Sequence, residues 1–241
     1  NNLIRKIFEC RDTSNLIDKT NIYFKYSKVE EEEIKKKNKY FYNLDKIVCL
    51  HVRDDGFLNK NLKNYIENKS VNSKISTYLK TVKKLNMLGY TVIRVGKDHK
   101  NFLKYKNRNY IDLFQENLWN SELELYLISK CNFFIGTHSG GSMASLYLFR
   151  KPTLFTNFIP LGKVFSYSKN ILFIPKKIKF KNKYLSISEI FNKKADELEK
   201  LKDLKKKNLS IIDNTPEEIY LATQDMINYL KNEKKYLSKN S

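Results

Sequence analysis

Three short polar segments directly follow apolar runs, and their residue types are those that bind anions or move protons. They are residues 51–55 (His-Val-Arg-Asp-Asp), 94–96 (Arg-Val-Gly) and 136–142 (Gly-Thr-His-Ser-Gly-Gly-Ser). Each preceding run is typical of a buried strand. Because ligands bind beyond the carboxyl ends of strands in an open parallel sheet, we expect the three segments to meet at one site.

Segment 136–142 is the most informative, because it holds three of the seven glycines of the chain. Small residues let backbone N–H groups approach a phosphate where a helix begins. The spacing matches neither a Walker loop nor a dinucleotide fingerprint, and no histidine follows His138 to complete a serine-hydrolase triad. A tight turn that merely needs glycine is the alternative to phosphate binding. The predicted ligand-binding residues of this segment are Thr137, Ser139, Gly140, Gly141 and Ser142.

Arg53 is the leading candidate for binding an anion, because a guanidinium can hold two phosphate oxygens at once. Its alternative partner is the neighbouring Asp54 or Asp55. A carboxylate or an imidazole at a strand end can act as a general base. Asp54 and His138 therefore join Arg53 as catalytic candidates. Asp54 and Asp55 are adjacent and do not form the D-x-D pattern of a metal-bound nucleotide, so no metal requirement is expected.

Five further residues complete the sequence-based interpretation. His51, Arg94 and Gly96 are predicted to bind substrate, although a buried structural role is the alternative for His51. His99 lies in a polar loop and is expected to be exposed to solvent. Trp119 is interpreted as an aromatic residue of the core or of a helix surface.

Strand patterns alternate with helical patterns along the chain, which predicts an α/β fold with a Rossmann-like parallel sheet covered by helices on both faces. Ser121 with Glu124, and Ser186 with Glu189, fit capping boxes. The second box is expected to open a lysine-rich helix that runs to about Asn208. Strands are predicted at 47–52, 90–95, 110–113, 132–136, 152–156 and 170–174, and helices at 73–88, 121–130, 142–149, 186–208 and 215–230.

Composition limits the classes of protein that need consideration. The 241 residues carry a formal net charge of +20, but only six of the 46 basic residues are arginine. Lysine on solvent-exposed faces explains this net charge better than sequence-specific binding of nucleic acid, because proteins that recognise bases rely on arginine. No apolar run approaches the length of a membrane helix. The three cysteines have no metal-ligand or disulfide-framework spacing, and Cys49 and Cys131 are expected to fill the core.

Taken together, these motifs resemble the nucleotide-sugar-binding half of a GT-B glycosyltransferase. The chain resembles more closely a family of bacterial glycosyltransferases found in surface-polysaccharide loci, distantly similar to the fucosyltransferase superfamily. The resemblance runs from about Ile47 to Leu230. It rests on residues 51–54, 92–96, the stretch 121–140, Pro152 with Asn157, and 214–219 (Asn-Thr-Pro-Glu-Glu-Ile).

The resemblance implies transfer of a sugar from a nucleotide-sugar donor to an acceptor hydroxyl, without a metal or other cofactor. Arg53 would hold the β-phosphate of the donor, and the 137–142 turn would face its diphosphate. Asp54 stands where many superfamily members carry a second basic residue, which leaves the donor nucleotide open. The expected partners are a nucleotide-sugar, a glycan or lipid-linked acceptor and an anionic membrane surface, with no specific nucleic acid. The expected location is the cytoplasm or the inner membrane face.

This interpretation divides the chain into three segments. Residues 1–45 are expected to be a linker or remnant of an acceptor-side half, 46–235 the nucleotide-sugar-binding domain, and 236–241 a tail. Because the chain begins with Asn1 and not Met, it is expected to be a processed or partial product. Two other functions stay open, namely a non-catalytic domain that binds a phosphorylated ligand or polyanion, and a nucleotide-sugar epimerase of the same architecture.

Overall fold

The computed structural model describes residues 16–20, 24–41, 45–56, 67–163 and 168–239. Parts of the predicted N-terminal segment 1–45, and residues 240–241 of the predicted tail, therefore lie outside the described residues. In chain order, the elements of the first half are α1 (Leu16–Lys19), α2 (Lys28–Lys37), β1 (Ile47–His51), α3 (Leu79–Met87), β2 (Thr91–Arg94), β3 (Tyr110–Asp112) and α4 (Ser121–Lys130).

The second half of the chain continues the alternation and then adds a small antiparallel sheet. Its elements are β4 (Phe133–Gly136), α5 (Gly140–Met143, continued by a π-helical turn Ala144–Leu148), β5 (Thr153–Phe158), β6 (Ile171–Pro175), β7 (Lys177–Phe180), β8 (Lys183–Tyr184), α6 (Ile187–Asn192), α7 (Leu201–Lys206), β9 (Leu209–Ile212) and α8 (Pro216–Lys239).

Within the described residues, six parallel strands form one sheet in the order β3-β2-β1-β4-β5-β6. This order confirms the predicted Rossmann-like α/β fold. The chain moves outward from β1 to β3 and then returns to start β4 on the other side of β1, so β1 and β4 flank the point where the strand order reverses. Ligands bind at such a point in open α/β sheets.

Strand β1 contributes to both faces of the sheet, because successive side chains of a strand point in opposite directions. Val48 and Leu50 pack with α3 and α8 on one face. Ile47 and Cys49 pack with α4 and with Ile34 of α2 on the other. Every residue of β1 is buried, which explains why its sequence is a continuous apolar run and not an alternating one.

The predicted helix over 186–208 is wrong in its length. The capping box of Ser186 and Glu189 is present, but α6 ends at Asn192 and Lys194 then adopts a positive φ of 50°. The chain turns back, forms α7, and reaches β9, which pairs with β7 in the antiparallel sheet. Burial of apolar residues among the lysines drives this arrangement. They are Ile178, Ile190, Ala195, Leu204 and Leu209, which pack together.

The capping box predicted at Ser121 is also wrong. The cap of α4 is Asn120, whose side chain accepts a hydrogen bond from the Leu123 N–H at 2.8 Å. Ser121 is already the first residue of the helix. Glu124, one residue further along than a capping glutamate would stand, is therefore available for other contacts.

Candidate functional site

The three segments singled out in the sequence do meet at one edge of the sheet. Leu50 pairs with Arg94 in β2, and His51 pairs with Gly136 in β4, so the chain leaves these three strands side by side. Arg53 follows β1, Gly96 follows β2, and the 137–142 turn follows β4. The carboxyl ends of three adjacent strands therefore build one cleft.

Two cavities open along this cleft, and we name each after one of its residues. The Trp119 cavity, of about 250 Å³, is lined by His51, Arg53, Gly96, Lys97, Trp119, Glu124, Ser139, Gly140 and Gly141. The His138 cavity, of about 330 Å³, is lined by Arg53, Ser70, Val71, His138, Ser139, Gly140, Met143 and Glu199. Because Arg53, Ser139 and Gly140 line both, the cavities are two parts of one continuous site.

Arg53 is held in the cleft by its backbone. Its N–H donates to the Thr137 hydroxyl at 3.1 Å, and its carbonyl accepts from the Ser73 N–H at 2.9 Å. The residue is half-buried, and burial lowers the pKa of its guanidinium. Its ordinary pKa is so high that the side chain stays charged at neutral pH. The cleft thus contains a fixed positive charge between its two cavities.

The 137–142 turn divides into residues that build it and residues that face the cleft. Thr137 and Ser142 are fully buried, and the Ser142 hydroxyl donates to the Thr137 carbonyl at 2.6 Å. Ser139 caps α5 by accepting from the Ser142 N–H at 3.4 Å. Ser139, Gly140 and Gly141 line the Trp119 cavity, whereas Thr137 and Ser142 line neither cavity of the cleft.

His51 forms part of the floor of the cleft as a neutral side chain. Burial, together with the charges of Arg94 and Arg53, lowers the pKa of its imidazole to about 4. Gly96, at a φ of +94°, lies against the ring, and a Cβ there would come within 2.9 Å of His51 Cδ2. A neutral imidazole can donate or accept one hydrogen bond in the cleft, but its depressed pKa makes it a poor base at pH 7.

Arg94 does not reach either cavity, so the binding role predicted for it is not supported by its position. Its guanidinium is fully buried and donates to the Asn101 carbonyl at 2.7 Å and to Asp112 Oδ2 at 3.1 Å. A second nitrogen, Nη2, lies 4.0 Å from Asp54 Oδ2. Arg94 therefore positions the loop that follows β2.

Asp54 belongs to the same buried network, and its contacts do not favour the catalytic role predicted for it. Its carboxylate accepts from the backbone N–H groups of Gly56, Lys100 and Asn101 at 2.8, 3.1 and 2.9 Å. The residue is 4% exposed. Together with Asp55 it lines a third cavity of about 480 Å³, which shares no lining residue with the two cavities of the cleft.

His99 is buried, and the expected solvent exposure of this residue is wrong. Its ring packs edge-on against Phe114 with centroids 5.7 Å apart, on the loop that Arg94 and Asp54 hold in place. Burial and the nearby Arg94 lower the pKa of its imidazole to about 3. Tertiary packing of this loop overrides the polar local sequence.

His138 remains a candidate for acid–base chemistry. Its ring stacks on Phe158 with centroids 5.6 Å apart, and it lines the cavity named after it together with Glu199. Burial lowers the pKa of the imidazole, Glu199 raises it, and Lys163 and Arg53 lower it further. A neutral imidazole with an acidic neighbour is the form that accepts a proton.

Sequence reasoning missed three residues of the Trp119 cavity, namely Lys97, Trp119 and Glu124. Trp119 Nε1 donates to Glu124 Oε2, and Lys97 Nζ lies 5.2 Å from the centroid of the Trp119 ring. Burial raises the pKa of the Glu124 carboxyl, while its hydrogen bonds with Trp119 and the Gly96 backbone lower it. The signal available for Glu124 was its spacing from Ser121, which was attributed to a capping box.

Two features are absent from the described ranges. Between residues 16 and 239, apart from the stretches the structure leaves out, no group of three or more His, Cys, Asp or Glu side chains is arranged to hold a metal ion. Over the same described residues, no helix has the length and apolar character needed to cross a membrane.

No protein-family model matches this sequence, and no curated protein matches it. Among solved structures, the chain is similar to the ADP-heptose lipopolysaccharide heptosyltransferase II of E. coli, at 14% identity and a TM-score of 0.52, over 88% of this chain and 54% of that one. The chain has the fold of one Rossmann-like half of a GT-B glycosyltransferase. It spans about half the length of that enzyme.

A second similar structure is the dodecameric, iron-containing heptosyltransferase TibC of E. coli, solved in complex with ADP-D-β-D-heptose. The match has 15% identity and a TM-score of 0.43, over 79% of this chain and 46% of that one. Its lower score adds nothing to the assignment of the fold.

Proposed function

We propose that this chain binds a nucleotide-sugar and forms the donor side of a glycosyltransferase that acts in surface-polysaccharide synthesis. The observation that supports this most directly is that Arg53 and the Ser139–Gly141 turn line the same cleft at the switch point of the sheet. A positive charge beside the backbone N–H groups of a glycine-rich turn suits a diphosphate. The similarity of the fold to a heptosyltransferase agrees with this class of reaction.

In the proposed reaction, the acceptor oxygen attacks the anomeric carbon and the bond to the nucleoside diphosphate breaks. Negative charge then grows on the leaving diphosphate, where Arg53 and the turn N–H groups can stabilise it without a metal. One preorganised hydrogen-bond donor of this kind stabilises the transition state by about 3 kcal/mol. Neutral His138 is the proposed acceptor of the proton, since it is the imidazole that faces the His138 cavity.

The proposal is tested by measuring calorimetrically the binding of nucleoside diphosphates and nucleotide-sugars to wild-type protein and to Arg53→Ala. We expect the substitution to lower affinity at least about 10-fold while the thermal unfolding midpoint is retained. Arg108→Ala is the matched control, because Arg108 is exposed in the turn before β3. Unchanged affinity in Arg53→Ala, or equal losses in both variants, contradicts the proposal. Binding that is unaffected by a chelator is expected if no metal takes part.

Catalysis is favoured over a purely non-catalytic polyanion-binding domain by the position of the charges. The arginine of the cleft lies between the two cavities, whereas other basic residues, such as Lys181, Lys183 and Lys193, are exposed on the surface. A polyanion-binding domain would instead bind heparin or nucleic acid with an affinity that Arg53→Ala leaves intact. Sugar transfer to an acceptor extract, followed with a radiolabelled donor, separates a transferase from an epimerase.

We also propose an anionic membrane surface as a partner of the segment 177–207. Ile187 and Phe191, four residues apart on α6, are 65% and 47% exposed. Lysines precede and follow this helix, among them Lys183 and Lys193. Apolar side chains beside cations are what peripheral helices present to anionic lipids. We expect the wild-type protein to co-sediment with vesicles that contain phosphatidylglycerol. The double variant Ile187→Ser, Phe191→Ser should no longer co-sediment with them.

A further inference from the structure

We infer that the third cavity, of about 480 Å³, binds one uncharged sugar residue of a glycan. Its volume lies in the range of small-molecule sites. We name it the Phe102 cavity, and the residues of its wall that carry the inference are Asp55, Asn72, Ser73, Asn101, Phe102 and Asp213. The inference goes beyond the proposed function, because this cavity shares no lining residue with the donor cleft.

The first observation is that each carboxylate of the Phe102 cavity already has a cationic partner. The three pairs are Asp54 with Arg94 at 4.0 Å, Asp55 with Lys69 at 3.8 Å, and Asp213 with Lys176 at 2.7 Å. Lys74 adds a further positive charge to the wall. The negative charge of the cavity is thus balanced by the protein itself, so a cation is not needed to complete the site. An uncharged ligand matches this balance.

The second observation is that two of these carboxylates keep the capacity to accept hydrogen bonds. Asp213 is partly exposed, and its Oδ1 accepts from Lys176 Nζ at 2.7 Å. Asp55 is also partly exposed, and its Oδ1 accepts from Asn72 Nδ2 at 2.7 Å. An ionised carboxylate has about four lone-pair sites and no donor. Both can therefore accept from a ligand, and hydroxyl groups are donors that carry no charge.

The third observation concerns two buried polar atoms in the wall, Ser73 Oγ and Asn72 Oδ1. Neither makes a hydrogen bond with any residue that the structure describes, and Ser73 is only 6% exposed. The Tyr78 hydroxyl does not satisfy Ser73, because its own bonds are with Thr156 Oγ1 at 2.6 Å and Asn157 Nδ2 at 3.2 Å. A buried polar atom without a partner destabilises a protein. A ligand hydroxyl both donates and accepts, so it can supply the missing partner.

The fourth observation is the exposed aromatic ring of Phe102, which is 38% accessible to solvent. Its position is fixed through its neighbour, because the Asn101 N–H donates to Asp54 Oδ2 at 2.9 Å. The face of an aromatic ring carries partial negative charge and attracts C–H groups. A sugar ring presents C–H groups on its faces and hydroxyls around its edge. An aromatic surface beside several hydrogen-bond acceptors therefore suits a sugar residue better than a wholly polar or a wholly apolar ligand.

The Phe102 cavity and the donor cleft are lined by neighbouring residues of one short segment. Ser70 and Val71 line the His138 cavity, whereas Asn72 and Ser73 line the Phe102 cavity. The segment is joined to the cleft by the Ser73 N–H, which donates to the Arg53 carbonyl at 2.9 Å. A glycan that is bound in the Phe102 cavity thus lies beside the donor cleft without occupying it.

The inference is tested by saturation-transfer NMR with the methyl glycosides of glucose, galactose, mannose, rhamnose and N-acetylglucosamine. The glycoside with the strongest signal is then titrated into wild type and variants to obtain dissociation constants. We expect Phe102→Ala to bind it at least about 10-fold more weakly. Phe191→Ala is the matched control, because Phe191 is also exposed but lies on α6 and does not line the cavity. It should bind the glycoside as wild type does.

Ser73→Ala separates sugar binding from folding. The substitution removes a hydroxyl that makes no hydrogen bond with the described residues and keeps the N–H that donates to Arg53. We therefore expect the thermal unfolding midpoint to be retained or raised, while affinity for the glycoside falls about 5- to 10-fold. A residue that served the fold alone would show the opposite result, with lower stability and unchanged sugar binding.

Four results would overturn the inference. They are wild-type protein that binds none of the five glycosides, wild-type affinity in Phe102→Ala or Ser73→Ala, displacement of the glycoside by spermidine, which would indicate a cation site, and displacement by ADP or UDP, which would place the sugar in the donor cleft. None of the first three bears on the proposed function, which is tested separately with Arg53→Ala and nucleotides. Arg53→Ala itself should keep the wild-type affinity for the glycoside.

Discussion

The backbone N–H of Arg53 donates to the Thr137 hydroxyl at 3.1 Å, and this bond joins the end of β1 to the turn after β4. The Thr137 N–H in turn donates to the His51 carbonyl at 3.1 Å. The two segments that line the cleft are thus fixed to one another by reciprocal bonds. A ligand that contacts both Arg53 and Ser139 finds their spacing set before it binds.

Thr137→Val should weaken donor binding without a direct contact to the ligand. Valine has nearly the same shape but leaves the Arg53 N–H without its acceptor, which costs about 1–3 kcal/mol for a buried group. Urea unfolding should show a loss in that range, and calorimetry a several-fold lower affinity. Thr137→Ser retains the hydroxyl and should restore both. A valine variant with wild-type affinity would show that the spacing of the two segments is set elsewhere.

Asp54→Ala should destabilise the protein, because Asp54 serves the network with Arg94 and the loop around Lys100. Breaking a buried charged network in this way costs about 3–5 kcal/mol. The free energy of unfolding in urea measures the effect. Asp55→Ala is the control, since Asp55 is partly exposed and pairs with Lys69 at 3.8 Å, and it should cost less than about 1 kcal/mol. A stable Asp54→Ala protein that has lost only transfer activity would instead support a base.

The parallel sheet could be predicted because its strands are buried on both faces. Such strands appear in a sequence as unbroken apolar runs, as 47–50 and 133–135 do. The antiparallel sheet could not be predicted in the same way. Ile178 and Phe180 alternate with Lys177 and Lys179 over only four residues, inside a block whose composition resembles a solvated helix.

The residues of the candidate site also differ in how clearly the sequence indicates them. Arg53 and the glycine turn were found because strand ends and small residues have a direct local signal. Glu124 was assigned to a capping box because Ser121 was taken as the N-cap residue. Whether Asn120 or Ser121 is the N-cap depends on backbone geometry, which the sequence does not indicate. The burial of His99 depends on the loop contacts of Asp54, which is distant in sequence, so no local pattern indicates it.

Gly96→Ala and Gly140→Ala should separate folding from ligand binding. A Cβ at Gly96 would lie 2.9 Å from His51 Cδ2, and its φ of +94° is unfavourable for alanine. We expect a loss of about 1–3 kcal/mol in stability from this strain. Nothing lies within 4 Å of a Cβ at Gly140, which faces both cavities of the cleft. Gly140→Ala should keep the wild-type stability and lower affinity for the donor, as measured by unfolding and calorimetry. Equal stability losses in the two variants would contradict this division.

The stability of the protein should fall as the pH is lowered from about 6.5. Burial lowers the folded-state pKa of His51 to about 4 and that of His99 to about 3. In the unfolded chain both have an ordinary pKa near 6.5. Between those values the unfolded state binds more protons, so each histidine lowers the free energy of unfolding by up to about 1.4 kcal/mol for every unit that the pH falls.

The contribution of His99 is isolated by comparing wild type with His99→Gln in urea unfolding at pH 7.5, 6.0 and 5.0. At pH 7.5 the variant should be less stable, because it loses the packing against Phe114. As the pH falls, only the wild type must keep this imidazole neutral, so the difference between the two proteins should shrink by about 1 kcal/mol per unit. A difference that stays constant from pH 7.5 to 5.0 would mean that His99 titrates alike in the folded and unfolded states. The loop held by Arg94 and Asp54 would then admit the charged ring.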